Sequence, residues 1–235
     1  MYPYFYGYYF DSLYLLIAGI SLVIMLSAQI LVKSRYSKYS KIPNSRGLTG
    51  AQAAKSVLEA NGVYDVRIEQ VSGQLTDHYD PKNNVIRLSE GVYSSNSVAA
   101  VGIAAHEAGH AVQYAKSYFP IKVRTAIIPL VRIGPTIGIL MMIIGAFINM
   151  FNLIVWGIVL FGLTFVFQFV TLPVEFNASR RALVAIREGH LLDDEGFTGA
   201  KKVLTAAALT YVAAMIQSLL TLLYYATRFL GNRRR

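Results

Sequence analysis

A mainly α membrane protein with about four transmembrane helices and one small α+β domain is the fold class that this sequence predicts. Three observations predict it. Hydrophobic residues make up 54% of the chain and charged residues only 15%, well under the roughly 25% charged residues usual for soluble domains. The apolar residues are gathered into long runs rather than dispersed, and each run reaches the ~20 residues that a helix needs to cross a hydrocarbon core. Between the first two runs, residues 33–124 have the composition and turn signals of a soluble α+β domain.

The first apolar run, about 13–32, follows an aromatic segment, MYPYFYGYYFD, that suits a membrane interface. No basic segment precedes the run, so it reads as a retained span rather than a cleavable signal. Lys33, Arg35, Lys38 and Lys41 follow it, and the positive-inside rule places the N-terminus outside and residues 33–124 in the cytoplasm. The formal net charge of +9 is therefore read as topology and contact with the lipid bilayer, with no nucleic-acid partner expected. Cysteine is absent, which excludes disulfides and thiolate metal sites and leaves histidines and carboxylates to hold any metal.

Within 33–124, Gly47 to Thr49 lead into a helix with Ala53, Val57, Leu58 and Ala60 on one face, stopped by Asn61-Gly62. Val63 to Val71 alternates in part, Asp80 to Asn84 reads as a turn, and Val85 to Leu88 reads as a strand ending at Ser89. Ser97 is the expected N-cap of an Ala-rich helix over about 97–116. Residues 127–172 read as a transmembrane hairpin linked near Asn149 and Asn152, and Pro173 is expected to end its second span. A cytoplasmic helical region over 173–204 follows. The last run, 206–230, reads as a span or a re-entrant helix, because its terminal arginines would otherwise lie outside against the positive-inside tendency.

The helix over 97–116 contains Ala105-His106-Glu107-Ala108-Gly109-His110, an HExxH pattern. Residues four apart stack on one helix face, so both imidazoles can reach one zinc ion. Glu107 then stands where it can serve as general base. The ordinary reading, two helix histidines beside a surface glutamate, leaves a costly ionisable triplet in an apolar helix with no compensation. The small residues Ala108 and Gly109 allow close approach of another segment. Catalytic zinc sites take a third protein ligand, and Glu175, Glu188, His190 and the run Asp193 to Glu195 are all chemically able to serve. Glu175 is favoured as the first charged residue after the hairpin; its competing role is to stabilise the N-terminal end of a helix.

HEAGHAVQ, EFNASRRAL and LTDHYDPKNNVIRLSE together resemble the YugP-like neutral zinc metallopeptidases of bacterial membranes, and more distantly the HtpX-like and CAAX-processing membrane proteases. The resemblance implies a zincin-like catalytic domain of the gluzincin type, with His106, His110 and Glu175 as zinc ligands and Glu107 as catalytic acid and base. HtpX-like relatives carry an aspartate four residues after the ligand glutamate where this chain has Ser179, so the partner of His106 is left open. By the same analogy the strand Val85 to Leu88 takes the place of the edge strand that aligns substrate. His78, Tyr79, Arg181 and His190 are chemically able to stabilise an oxyanion. Arg132, inside the second span, calls for a partner or a watery cavity.

The expected function is a membrane-embedded zinc-dependent metalloendopeptidase of the bacterial cytoplasmic membrane. It would hydrolyse peptides or membrane proteins on the cytoplasmic side. The alternative is a non-catalytic membrane scaffold with a structural zinc. A transporter fits less well, because apart from Arg132, Gln168 and Gln217 the spans hold few polar residues.

Overall fold

The structure is a computed structural model and describes residues 11–230; the aromatic segment before Asp11 and the terminal arginines lie outside the described residues. Its elements are α1 (Ser12–Tyr39), α2 (Gly50–Ala60), β1 (Arg67–Val71), β2 (His78–Asp80), β3 (Val85–Ser89), α3 (Glu90–Tyr93), α4 (Val98–Ala115), α5 (Phe119–Phe147), α6 (Phe151–Glu188) and α7 (Asp194–Leu230). They divide into two compact units. The protein is thus mainly α, with one small mixed sheet and four helices long and apolar enough to cross a membrane.

One unit comprises the described residues up to Ser27 together with 123–172 and 210–230. Between 11% and 33% of each candidate span is buried within the protein, so most of the apolar surface of these helices is left for lipid. Glycines set the closest approach: a Cβ on Gly138 would lie 2.6 Å from the Gly157 carbonyl oxygen, and the reverse holds at Gly157. Tyr224 donates a hydrogen bond to Asp11 at 2.9 Å, and Arg228 faces the same carboxylate at 3.8 Å. The C-terminal end of α7 therefore lies beside the start of α1. Pro129 and Pro135 sit inside α5, which continues through both, and Arg132 is exposed on it.

The other unit, 28–122 with 173–209, carries the chemistry. Thr49 and Gln52 form a reciprocal capping box at the start of α2, and Asn61 followed by Gly62 at φ +71° ends it. Ser97 caps α4 by accepting from the Ala100 amide at 3.2 Å. Most residues of α4 are buried, on both faces, which its alanines and glycines permit because they let several elements pack against one helix. The strand expected over 63–71 forms only from Arg67, and His78–Asp80 adds a strand that the turn signals had hidden.

Three expectations are corrected here. The sheet order is β1-β3-β2, with β1 parallel and β2 antiparallel to β3. The strand Val85 to Leu88 is therefore central; neighbours on both sides take up its ladder, and it has no edge for substrate. Pro173 does not end the second helix of the hairpin: α6 is a single helix of 38 residues with Pro173 inside it. A proline removes one backbone hydrogen bond, a loss that flanking packing can compensate in long apolar helices. Glu175 consequently lies mid-helix, far from any N-terminal dipole end. The fourth helix also begins earlier than 206, at Asp194, where Asp193 caps it by accepting from the Gly196 amide at 2.8 Å.

Candidate metal centre and active site

His106 and His110 project from successive turns of α4 toward α6. Their rings lie 4.7 Å apart between centroids at 83°, and the Nε2 atoms stand 3.4 and 3.5 Å from Glu175 Oε2. One ligand-capable atom from each of the three residues falls within 4.8 Å of the others. Glu175 is 2% exposed, a degree of burial that a carboxylate tolerates only with charged or hydrogen-bonding compensation. Gly109 explains how α6 comes so near: a Cβ there would lie 2.7 Å from the Ala178 carbonyl oxygen.

The opposite ring nitrogens are already engaged. His106 Nδ1 is 3.1 Å from Ser179 Oγ, and His110 Nδ1 is 3.0 Å from Gln113 Oε1. The orientation of the fully buried Gln113 amide follows from two independent anchors. Its Nε2 donates to the Val174 carbonyl at 2.7 Å, and to Asn177 Oδ1 at 3.1 Å, which also accepts from Arg181 Nε at 2.7 Å. A carbonyl can only accept and a guanidinium only donate, so Gln113 must turn its oxygen to His110. His110 Nδ1 then carries the proton and its Nε2 lone pair is directed toward Glu175 and the cluster. Two imidazole Nε2 atoms and a carboxylate, with Gln113 Oε1 and the Ser179 hydroxyl at the two Nδ1 positions, fit a zinc ion's preference for N and O ligands of fixed orientation.

Burial pushes the His110 imidazolium down, but the hydrogen bond to Glu175 and the charges of Glu107 and Glu175 outweigh it, so its pKa lies above the ordinary value. Strong local negative charge is what a dication would neutralise. Glu107, on the same helix turn, is itself 8% exposed.

The remaining sequence-derived residues lie elsewhere. By strand alternation His78 shares a sheet face with Arg87, opposite the face on which Ile86 and Leu88 join the core. Its Nδ1 is 2.8 Å from the Thr76 carbonyl oxygen. Tyr79 packs its ring on Tyr114 of α4 at 5.5 Å, while its hydroxyl donates to Asn84 Oδ1 at 2.7 Å; burial pushes that phenol up to about 12. Arg181 reaches the metal ligands only through Asn177 and Gln113, with its guanidinium 6.0 Å from the Tyr118 ring. His190 follows the end of α6, and a 1.5 Å rise per residue puts it about 20 Å from Glu175. The same rise removes Glu188 from the cluster. Ser179, which the sequence comparison marks as standing in place of an aspartate, is the group beside His106 Nδ1, whereas sequence reasoning does not reach Gln113 and Asn177. The available signal was a lone polar residue three positions after His110 on an apolar helix.

A family model described as "Putative neutral zinc metallopeptidase" matches residues 14–230. The chain belongs to this family. It is 47% identical over 207 residues to the "Putative membrane protease YugP" of Bacillus subtilis (strain 168), covering 88% of this chain and 92% of that protein. No solved structure matches. The family and the His-His-Glu cluster together establish a membrane-spanning zinc metallopeptidase.

Proposed function

We propose that this metallopeptidase is an endopeptidase of the bacterial cytoplasmic membrane that cleaves membrane-protein or peptide substrates on the cytoplasmic side, with Glu107 as its acid and base. The observation that carries the reading is the convergence of His106 and His110 Nε2 on the Glu175 carboxylate, with Glu107 on the same turn of α4. His106, His110 and Glu175 would hold the ion. Zinc, when bound, supplies Lewis-acid activation of water and of the scissile carbonyl. Glu107 takes the proton of the attacking water on its carboxylate and returns it to the departing amine. Among the described residues three metal-capable groups gather here, which leaves a fourth position for water and favours catalysis over a closed structural site.

The cytoplasmic placement rests on the basic residues at the C-terminal end of α1, Lys33, Arg35 and Lys38, and on Lys41 just after it. With β3 central, the strand that supports substrate alignment is β2: it is the antiparallel edge, and Tyr79 packs it against α4 one turn beyond His110. Glu107→Gln should abolish cleavage of a peptide that the wild type cuts while leaving a full equivalent of zinc bound. Retained cleavage would remove Glu107 from the reaction; loss of zinc with loss of cleavage would make it a structural group.

A further inference from the structure

Both metal-facing imidazoles are oriented by neutral groups. His110 Nδ1 donates to the Gln113 amide oxygen, and His106 Nδ1 lies 3.1 Å from the Ser179 hydroxyl. With His106 Nε2 directed to the cluster, its proton resides on Nδ1, and Ser179 Oγ is the acceptor. Hydrogen bonds to an ionised acceptor are about twice as strong as those to a neutral one. A carboxylate on Nδ1–H also raises the basicity of the imidazole toward a metal. We infer that Ser179 sets the metal affinity of this centre: as a neutral positioning residue it orients His106 while leaving the ion less tightly held than a carboxylate at the same position would.

Charge and space support this. Glu175 places one buried carboxylate in the cluster, and the largely buried Glu107 neighbours His106 on α4; a further carboxylate on His106 would add attraction for a dication in this low-dielectric setting. Ser179 lines a cavity of about 420 Å³ between α6 and α7 that also includes Phe176, Leu183, Leu204 and Ala208.

The inference rests on the metal-centre reading, and the test separates the two. Purified full-length protein in detergent is titrated with zinc against a chromophoric chelator, and metal-free thermal unfolding is followed in parallel. Ser179→Ala should bind zinc about 10-fold more weakly, Ser179→Thr within about twofold of wild type, and Ser179→Asp about 10-fold more tightly. Metal-free Ser179→Thr should unfold like the wild type, and the gain in zinc affinity with Ser179→Asp is a readout that a merely structural serine would not move. A Ser179→Asp protein that folds but binds zinc no more tightly than wild type overturns the inference. If that variant does not fold, Ser179→Ala binding as tightly as Ser179→Thr overturns it instead. A wild type that binds no zinc overturns the metal centre itself, a distinguishable result.

Discussion

Gly109→Ala tests whether the approach of α6 to α4 is what assembles the metal centre. The new Cβ would lie 2.7 Å from the Ala178 carbonyl oxygen and 3.3 Å from its carbonyl carbon and Cα, all backbone atoms of α6. Backbone cannot rotate away as a side chain can, so restoring van der Waals contact near 3.4 Å requires the helices to part by roughly 0.7 Å. Metal sites tolerate displacements of only about 0.2 Å in ligand distance, and Ala178 is adjacent to Ser179 and one turn from Glu175. Overpacking of this kind costs about 1–3 kcal/mol, whereas replacing a mid-helix glycine with alanine returns about 1 kcal/mol of helix propensity. The net change in folding stability is therefore small, about 0–2 kcal/mol, while zinc affinity should fall about 10-fold to 100-fold. Chelator competition on the purified protein measures the affinity, and thermal unfolding with excess chelator measures the metal-free stability. Gly102→Ala is the control. Its Cβ would meet the Ala200 Cβ at 3.2 Å, a contact with α7 away from the ligands, and it should leave zinc affinity unchanged. Wild-type zinc binding by Gly109→Ala would refute the reasoning.

Three further outcomes follow from the same geometry. Glu175→Ala should lose stoichiometric zinc as completely as His106→Ala, read by metal analysis after desalting; retention of a full equivalent would point to another third ligand. Gln113→Leu strands the His110 Nδ1 proton and the partners on α6, so it should lower metal-free stability by about 1–3 kcal/mol and weaken zinc binding besides, whereas an unchanged unfolding transition would contradict the network. The phenol of Tyr79 is raised to about 12, above the ~10 expected for an unfolded chain. Its contribution to stability is thus complete below pH 10 and lost as pH rises toward 12. Tyr79→Phe should flatten the fall in stability over that interval and leave the activity profile below pH 10 unaltered; equal slopes for the two proteins would show that this hydroxyl does not titrate as described.

Local signals read well. Ser97, Thr49 and Asn61-Gly62 mark helix ends because caps depend on neighbours in sequence. The HExxH spacing placed two imidazoles on one face because a helix repeats every 3.6 residues. Local rules misled where context could override them. Pro173 reads as a stop, yet α6 runs through it, since a missing hydrogen bond can be compensated by packing that no short window contains. Val85 to Leu88 reads as a strand but not as a central one, because which neighbours flank a strand is settled by segments distant in the chain.

By itself, then, the sequence determined the four apolar helices, the α+β segment between the first two of them, and a pair of histidines spaced to share a metal ion, all of which depend on composition and short-range periodicity. Only the tertiary structure decided that Glu175 rather than Glu188 or Asp193 meets the histidines, that Ser179 and Gln113 orient them, and that β2 is the antiparallel edge of the sheet. The reason is physical: a metal centre is closed by the crossing of two helices, α4 and α6. The point where they cross is set by the absence of a side chain at Gly109 and the carbonyl it admits, a coincidence in space that spacing along the chain does not encode.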